Sequence, residues 1–251
     1  MGFQNETNMI GNQFRASVWH IVFKSKTKTD SCATGFLFEV KTGPALTLSK
    51  IFLVSNEHSF LQEKNRKNSR LEDELWFSRP NDPSTIEKVM DLSPSLLHRH
   101  PNVDLAMIDV TDKCDNLKKA SVKVQPLTPD MLLTFTEWNT GVQGDKCEFR
   151  GYPGWRTRSE TFRGTLQQDA RENDETGLPR IEINDTTVAV GVSGSPAFVK
   201  VNNRIKLIGI VEEARTIEIT EGSEKWNYGW LVKSTALVEL LNRALGQGNW
   251  R

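Results

Sequence analysis

The chain has 251 residues, of which 37% are hydrophobic and 25% are charged, and its 32 basic side chains balance its 32 acidic ones. This is the composition of a globular protein with a sizeable core, and the zero net charge argues against a nucleic acid or an anionic membrane as the main partner. No apolar run reaches the roughly 18 residues of a membrane-spanning helix, and the first residues lack the basic and apolar segments of a signal peptide.

Short apolar runs separated by turns fill the first half of the chain, after a polar arm at residues 1–13 that we expect to be flexible. Runs rich in β-branched and aromatic residues and bounded by turn residues are typical of strands. The predicted strands cover residues 16–23, 34–40, 46–48, 51–56, 74–77 and 103–110, with a turn at 80–84. We assign residues 14–115 to a first β-barrel and 116–135 to a linker.

The second half repeats this pattern and ends in the one segment with clear helical periodicity. Predicted strands cover residues 146–150, 161–166, 180–183, 186–190, 197–201, 205–211 and 228–232. From Ser234 a stripe of leucines recurs at helical spacing, and Gly246 is a typical stop. We therefore predict an all-β fold of barrels or sandwiches, with a second barrel over 136–233 and a C-terminal helix and tail over 234–251.

Three cysteines, Cys32, Cys114 and Cys147, lie far apart and are odd in number. Their spacing matches neither a zinc site nor a disulfide framework. We therefore expect no metal, no cofactor and a reducing, cytoplasmic compartment.

The segment Gly191-Val192-Ser193-Gly194-Ser195-Pro196 places a hydroxyl between glycines, at a bend between two apolar runs. Glycine allows backbone conformations that bring a chain close to a ligand, and such a bend can direct two N–H groups at one point, as an oxyanion hole requires. The alternative is a plain hairpin turn without chemistry.

A serine nucleophile needs a base, and a base needs a group that orients it. Of the four histidines, His58 is the best candidate because it directly follows a strongly apolar strand; His98 and His100 are expected to be exposed. Asp104 enters another apolar strand, where an unpaired carboxylate would be costly. Asp104 as a simple turn cap, and Asp30 as a rival acid, remain alternatives.

In this order the motifs resemble those of the trypsin-like (chymotrypsin-fold) serine peptidases, in particular the bacterial HtrA/Deg branch. The resemblance covers nearly the whole chain and rests on five segments, in the first of which Ala33 replaces a glycine: Ala33 to Phe38, Leu53 to His58, His100 to Ala106, Gly144 to Pro153 and Gly191 to Pro196. It implies two packed antiparallel β-barrels with a cleft between them. No PDZ-like domain is expected after the helix.

The resemblance also implies a Ser-His-Asp mechanism. Ser193 would be the nucleophile, His58 the base and Asp104 the orienting acid, with the N–H groups of Gly191 and Ser193 forming the oxyanion hole. By the same alignment Thr187, Val211, Glu212 and Ala214 would line the substrate site. A protein or peptide is the implied substrate.

Three departures from the family pattern change what the resemblance implies. Val192 stands where secreted trypsins have an aspartate that pairs with a cleaved N-terminus, so we expect no activation through that ion pair. The neutral Thr187 does not support a preference for Arg or Lys, whereas the carboxylate of Glu212 would disturb Asp104 or favour basic substrate groups.

The first hypothesis is an intracellular serine endopeptidase that has restricted specificity or is activated by a regulatory protein partner. Two other functions are alternatives to it. The first is a catalytically silent trypsin-like fold that binds a protein through the same cleft. The second is a thiol protease that uses Cys147 or Cys114, which is disfavoured because neither cysteine lies in a glycine-framed bend.

Overall fold

A computed structural model shows the fold of the chain. It describes residues 10, 14–24, 30–61, 71–79, 82–119, 121–134, 136–137, 146–153, 158–167, 177–184, 191–218 and 225–251, with the backbone alone at 79, 82–84, 214–218 and 225–228. No helix in this part of the chain is long and apolar enough to cross a membrane.

The first half folds into one sheet of seven strands that curves into a half-barrel. The strands are β1 (Val18–Lys24), β2 (Ser31–Thr42), β3 (Leu48–Ser55), β4 (Glu74–Arg79), β5 (Asp82–Asp91), β6 (Leu97–Arg99) and β7 (Ala106–Asp109). They lie in the order β5-β4-β1-β2-β3-β7-β6, and every neighbouring pair is antiparallel. This order places the end of β3, just before the predicted histidine, beside the start of β7, just after the predicted aspartate.

The second half forms a closed barrel of six antiparallel strands. These are β8 (Lys146–Gly151), β9 (Glu160–Leu166), β10 (Arg180–Asn184), β11 (Pro196–Val201), β12 (Arg204–Glu218) and β13 (Lys225–Lys233), in the order β10-β13-β12-β11-β8-β9. The helix α2 (Ser234–Leu245) follows β13 directly. The predicted all-β architecture of two packed β-barrels with a C-terminal helix is confirmed.

Several local predictions differ from the structure. The strand predicted at 46–48 is largely replaced by a 3₁₀ turn, Pro44–Leu46, and of the strand predicted at 103–110 only Ala106–Asp109 forms. A second helix, α1 (Thr111–Lys119), occupies the start of the stretch expected to be a linker; it buries only Cys114 and Leu117, so its apolar stripe is too short to stand out in the sequence. Strand β5 begins within the predicted turn at 80–84 and pairs closely with β4. The strand predicted at 186–190 lies outside the described residues.

The two barrels and helix α2 share one apolar core. Phe36 from the first barrel, Phe198 from the second and Leu237 from α2 belong to the same buried cluster. Ile10 and Phe14 also belong to it, and the backbone N–H of Ile10 donates to the buried Glu148 carboxylate at 2.9 Å. The arm predicted to be flexible is therefore anchored at Ile10, the one residue of 1–13 that the structure describes.

Candidate active site

His58 lies in a short 3₁₀ turn, Glu57–Phe60, immediately after β3. Residues 51–54 of β3 are buried and apolar, and the buried Ser55 ends the strand, so the turn has a rigid base. The His58 side chain keeps 29% of its surface exposed, whereas that of Asp104 keeps 10%. The imidazole is thus fixed on one side and open on the other.

Both carboxylate oxygens of Asp104 contact His58. Oδ1 accepts the backbone N–H of His58 at 2.9 Å, and Oδ2 forms a short hydrogen bond with the ring Nδ1. The side-chain amide of Asn56 donates to the Asp104 carbonyl oxygen at 2.8 Å. This arrangement holds the ring with Nδ1 towards the carboxylate and leaves Nε2 as the nitrogen that Asp104 does not engage. Asp30 is exposed, and Asp104, not Asp30, pairs with His58.

His100 supports the loop that carries Asp104. Its Nδ1 accepts the backbone N–H groups of Asn102 and Val103, each at 3.3 Å, and its Nε2 lies 3.1 Å from Glu239 Oε2 on helix α2. The expectation that His98 and His100 are exposed is wrong: His100 is buried, and His98 is half-buried in β6 against the ring of Phe52. Their polar neighbours concealed this burial in the sequence.

The serine bend, which we define as residues 191–196, is a tight turn attached to β12. Gly191 and Gly194 have φ of 97° and 86°, values that favour glycine. The N–H of Ser195 donates to the Val192 carbonyl at 3.0 Å, and that of Gly194 donates to the Val211 carbonyl at 2.8 Å. Ser193 is half-buried, whereas its neighbour Ser195 is fully buried.

The serine bend also contacts the first barrel, at the end of β2 nearest to His58. The backbone N–H of Thr34 donates to the Ser193 carbonyl at 3.2 Å. The hydroxyl of Ser55, three residues before His58, donates to the Thr34 carbonyl at 2.7 Å. The structure therefore brings the segments of the three predicted catalytic residues together where the two barrels meet.

The predicted substrate-site residues lie on β12, beside the serine bend. Val211 is buried and exchanges backbone hydrogen bonds with the bend, and the backbone of Ala214 pairs with Gly229 of β13. Glu212 lies at a β-bulge, and its Oε2 is 3.2 Å from Nε of Arg180. The carboxylate expected to act on Asp104 or on a basic substrate is thus paired with Arg180. Thr187 lies outside the described residues.

The buried thiols do not support a thiol protease. Burial raises the pKa of both Cys114 and Cys147 to about 12, so at neutral pH neither forms the nucleophilic thiolate.

Sequence reasoning missed the contacts of Thr34 with the serine bend and the burial of its strand neighbour His20. Thr34 lies in the segment Ala33 to Phe38, but its hydrogen bonds to residues far away in the chain leave no local signal. His20 is opposite Thr34 in the β1–β2 pairing and stacks on the ring of Tyr152 at 5.2 Å. Among the described residues neither of its ring nitrogens has a hydrogen-bond partner, and burial lowers its pKa to about 4.

Comparisons with known proteins identify the fold but not a family. No protein-family model and no curated protein matches the chain. The solved HtrA-type protease AlgW with a tripeptide is similar to it, with a TM-score of 0.57 and 15% identity over 94% of this chain and 62% of that chain. The active form of the Rv3671c protease from M. tuberculosis has a TM-score of 0.53 and 14% identity over 93% of this chain and 82% of its own.

This chain thus spans less than two thirds of that AlgW chain. At sequence identities of 14–15%, this similarity establishes the fold and nothing beyond it. The two packed β-barrels of this protein have the same fold as these solved HtrA-type proteases.

Proposed function

We propose that the protein is a serine endopeptidase that hydrolyses peptide bonds with Ser193, His58 and Asp104. The observation that carries this proposal is the double contact of the Asp104 carboxylate with His58, made beside the serine bend. A buried carboxylate that holds Nδ1 selects the tautomer in which Nε2 accepts a proton, which is the role of the acid in a Ser-His-Asp triad.

In the proposed reaction, the Ser193 Oγ attacks the carbonyl carbon of the substrate while its proton moves to Nε2 of His58. The resulting oxyanion accepts hydrogen bonds from the backbone N–H groups of Gly191 and Ser193. The C–N bond then breaks, the imidazolium gives its proton to the leaving amine, and an acyl-enzyme remains. Water attacks this ester by the same steps and regenerates Ser193. Asp104 remains ionised throughout and stabilises the imidazolium.

The two N–H groups assigned to the oxyanion are available for this role. Within the described residues, neither Gly191 nor Ser193 donates its N–H to another backbone carbonyl. Their neighbours Gly194 and Ser195, in contrast, both donate within the protein. This difference supports an oxyanion hole formed by Gly191 and Ser193.

We place the substrate peptide beside β12, along Val211, Glu212 and Ala214, with Thr187 at the primary pocket. AlgW has been solved with bound peptides, which supports a protein or peptide as substrate. The ion pair with Arg180 offsets the charge of Glu212, and Thr187 is neutral, so we expect no trypsin-like preference for Arg or Lys.

We assign the enzyme to a reducing, intracellular compartment, because its three cysteines are free. Secreted trypsins have an acid at the position of Val192, and that acid forms their activating ion pair. Because this protein lacks the acid, we propose that its activity is limited by narrow specificity or by a regulatory protein. Rapid, broad digestion of casein by the purified protein would contradict this restraint.

The decisive test is labelling with a fluorophosphonate, read by intact mass. The wild type should gain one adduct and Ser193→Ala should gain none. Ser195→Ala is the matched control, because Ser195 is the other serine of the bend and is fully buried; it should still be labelled. Labelling that persists in Ser193→Ala would refute the assignment of the nucleophile. A wild type that is never labelled and cleaves nothing, with partner binding unchanged in Ser193→Ala, would indicate the silent binding module instead.

A further inference from the structure

Thr34 is a fully buried residue of the first barrel that contacts three separate segments of the protein. Strand β3 pairs with β2 only from Phe36 onward, so the two strands diverge before Thr34. The serine bend occupies the position next to β2 that this divergence opens. Thr34 is consequently a residue through which the first barrel contacts the bend by hydrogen bonds.

The side-chain hydroxyl of Thr34 makes two hydrogen bonds to the second barrel. Oγ1 donates to the Gly191 carbonyl at 2.9 Å and accepts the backbone N–H of Tyr152 at 2.8 Å. A hydroxyl has one proton to donate, and here the Gly191 carbonyl receives it. The direction of both bonds is therefore determined: Tyr152 orients the hydroxyl, and the hydroxyl orients Gly191.

The backbone of Thr34 holds the next part of the same bend. Its N–H donates to the Ser193 carbonyl at 3.2 Å, while its own carbonyl accepts the Ser55 hydroxyl at 2.7 Å. Thr34 thus contacts the bend on both sides of Val192, at the two residues whose N–H groups we assign to the oxyanion hole.

Gly191 needs such a restraint because it has no side chain to limit its backbone. Its φ is 97°, and glycine can adopt many other backbone conformations at similar energy. Catalysis requires donors that already point at the developing oxyanion. A hydrogen bond on the Gly191 carbonyl limits rotation of the peptide between Gly191 and Val192, and so limits the directions of the N–H groups on either side.

We infer that the Thr34 hydroxyl is a positioning residue for the oxyanion hole. This inference rests on the proposed function and extends it to a residue that does not contact the substrate. The hydroxyl acts through Gly191, and its contribution should appear in kcat more than in KM. Replacing Thr34 by the isosteric valine removes both hydrogen bonds without removing volume, whereas serine keeps both.

The experiment compares Thr34→Val, Thr34→Ser and the control Thr42→Val, which lies on the same strand away from the bend. A misplacement on the order of 1 Å at a reacting group costs about 100-fold in rate. For Thr34→Val we expect kcat on a peptide substrate, and the rate of fluorophosphonate labelling, to fall by about that factor. KM should change less than about twofold, and both Thr34→Ser and Thr42→Val should stay within about threefold of the wild type.

A second measurement does not depend on activity. In a Ser193→Ala background, Thr34→Val should accelerate amide exchange at Tyr152 and broaden the Gly191 amide resonance, and Thr34→Ser should do neither. Equal kcat in Thr34→Val and the wild type, or unchanged amides, would overturn the inference. If the wild type neither cleaves nor is labelled, the proposed function fails, while the amide measurement still decides the role of Thr34.

Discussion

Gly194 of the serine bend packs against β2 and β3 with no space for a side chain, and its replacement by alanine tests that packing. A Cβ at this position would come within 3.0 Å of both the Thr34 carbonyl oxygen and the Ser55 hydroxyl, a separation that real Cβ atoms essentially never show. The φ of 86° adds strain of about 1–2 kcal/mol for any L side chain. The crowding adds about 1–3 kcal/mol, as in other overpacked sites.

Gly248→Ala is the matched control. Gly248 has a similar φ of 77°, but a Cβ there would have no atom within 4 Å, so this variant carries the backbone strain alone. Urea unfolding should therefore show a loss of about 1–2 kcal/mol for Gly248→Ala. Gly194→Ala should lose about 1–3 kcal/mol more than that.

The Gly194 variant should also lose activity. Because the crowding atoms belong to β2 and β3, the bend has to shift by on the order of 1 Å, which is enough to lower the rate of Ser193 labelling about 100-fold. Gly248→Ala should be labelled at the wild-type rate. If Gly194→Ala is as stable as Gly248→Ala and is labelled normally, the serine bend does not pack against β2 as described.

Two further predictions concern charge and protonation. Asp104→Asn should lower kcat about 10⁴-fold, because an amide facing Nδ1 favours the wrong tautomer of His58; activity above a tenth of the wild type would refute the triad. His20 has a folded-state pKa of about 4 against 6.5 when exposed, so the unfolded chain binds the extra proton between these values. Stability should therefore fall by about 1.4 kcal/mol per pH unit as pH drops through this window. His20→Phe, which keeps the stacking on Tyr152, should remove that part of the slope in urea unfolding at pH 4.5 to 7; an unchanged slope would contradict it.

The strands can be predicted from the sequence because they leave local patterns, and His58 and Asp104 are recognisable as candidates because each lies next to such a pattern. Each strand has an apolar, β-branched run, and His58 and Asp104 each stand at the end of such a run. The antiparallel neighbours β3 and β7 bring these positions together. The strand order was not predictable from the strand assignments, so from the sequence the match of His58 with Asp104 rests on the needs of a triad and on the family resemblance.

The contacts of Thr34 could not be predicted in this way. Its hydroxyl bonds residues that lie 157 and 118 positions away in the chain. Such contacts depend on the angle and distance between the two barrels. The periodic patterns within each barrel do not determine that angle or distance. The burial of His100 cannot be predicted for a related reason: its ring contacts Glu239 of helix α2, which comes more than a hundred residues later.

Apolar packing and hydrogen bonds have different tasks where the barrels meet. The shared core, with Phe36 and Phe198, holds the barrels together, but hydrophobic contact has little directionality and tolerates small shifts. The hydrogen bonds of Thr34 are short and directional, and they involve buried groups that are costly to leave unpaired. A shift between the barrels that the core would accept therefore breaks the bonds at Gly191 first. The hydrogen bonds, more than the core, therefore determine how precisely the two halves of the site are positioned against each other.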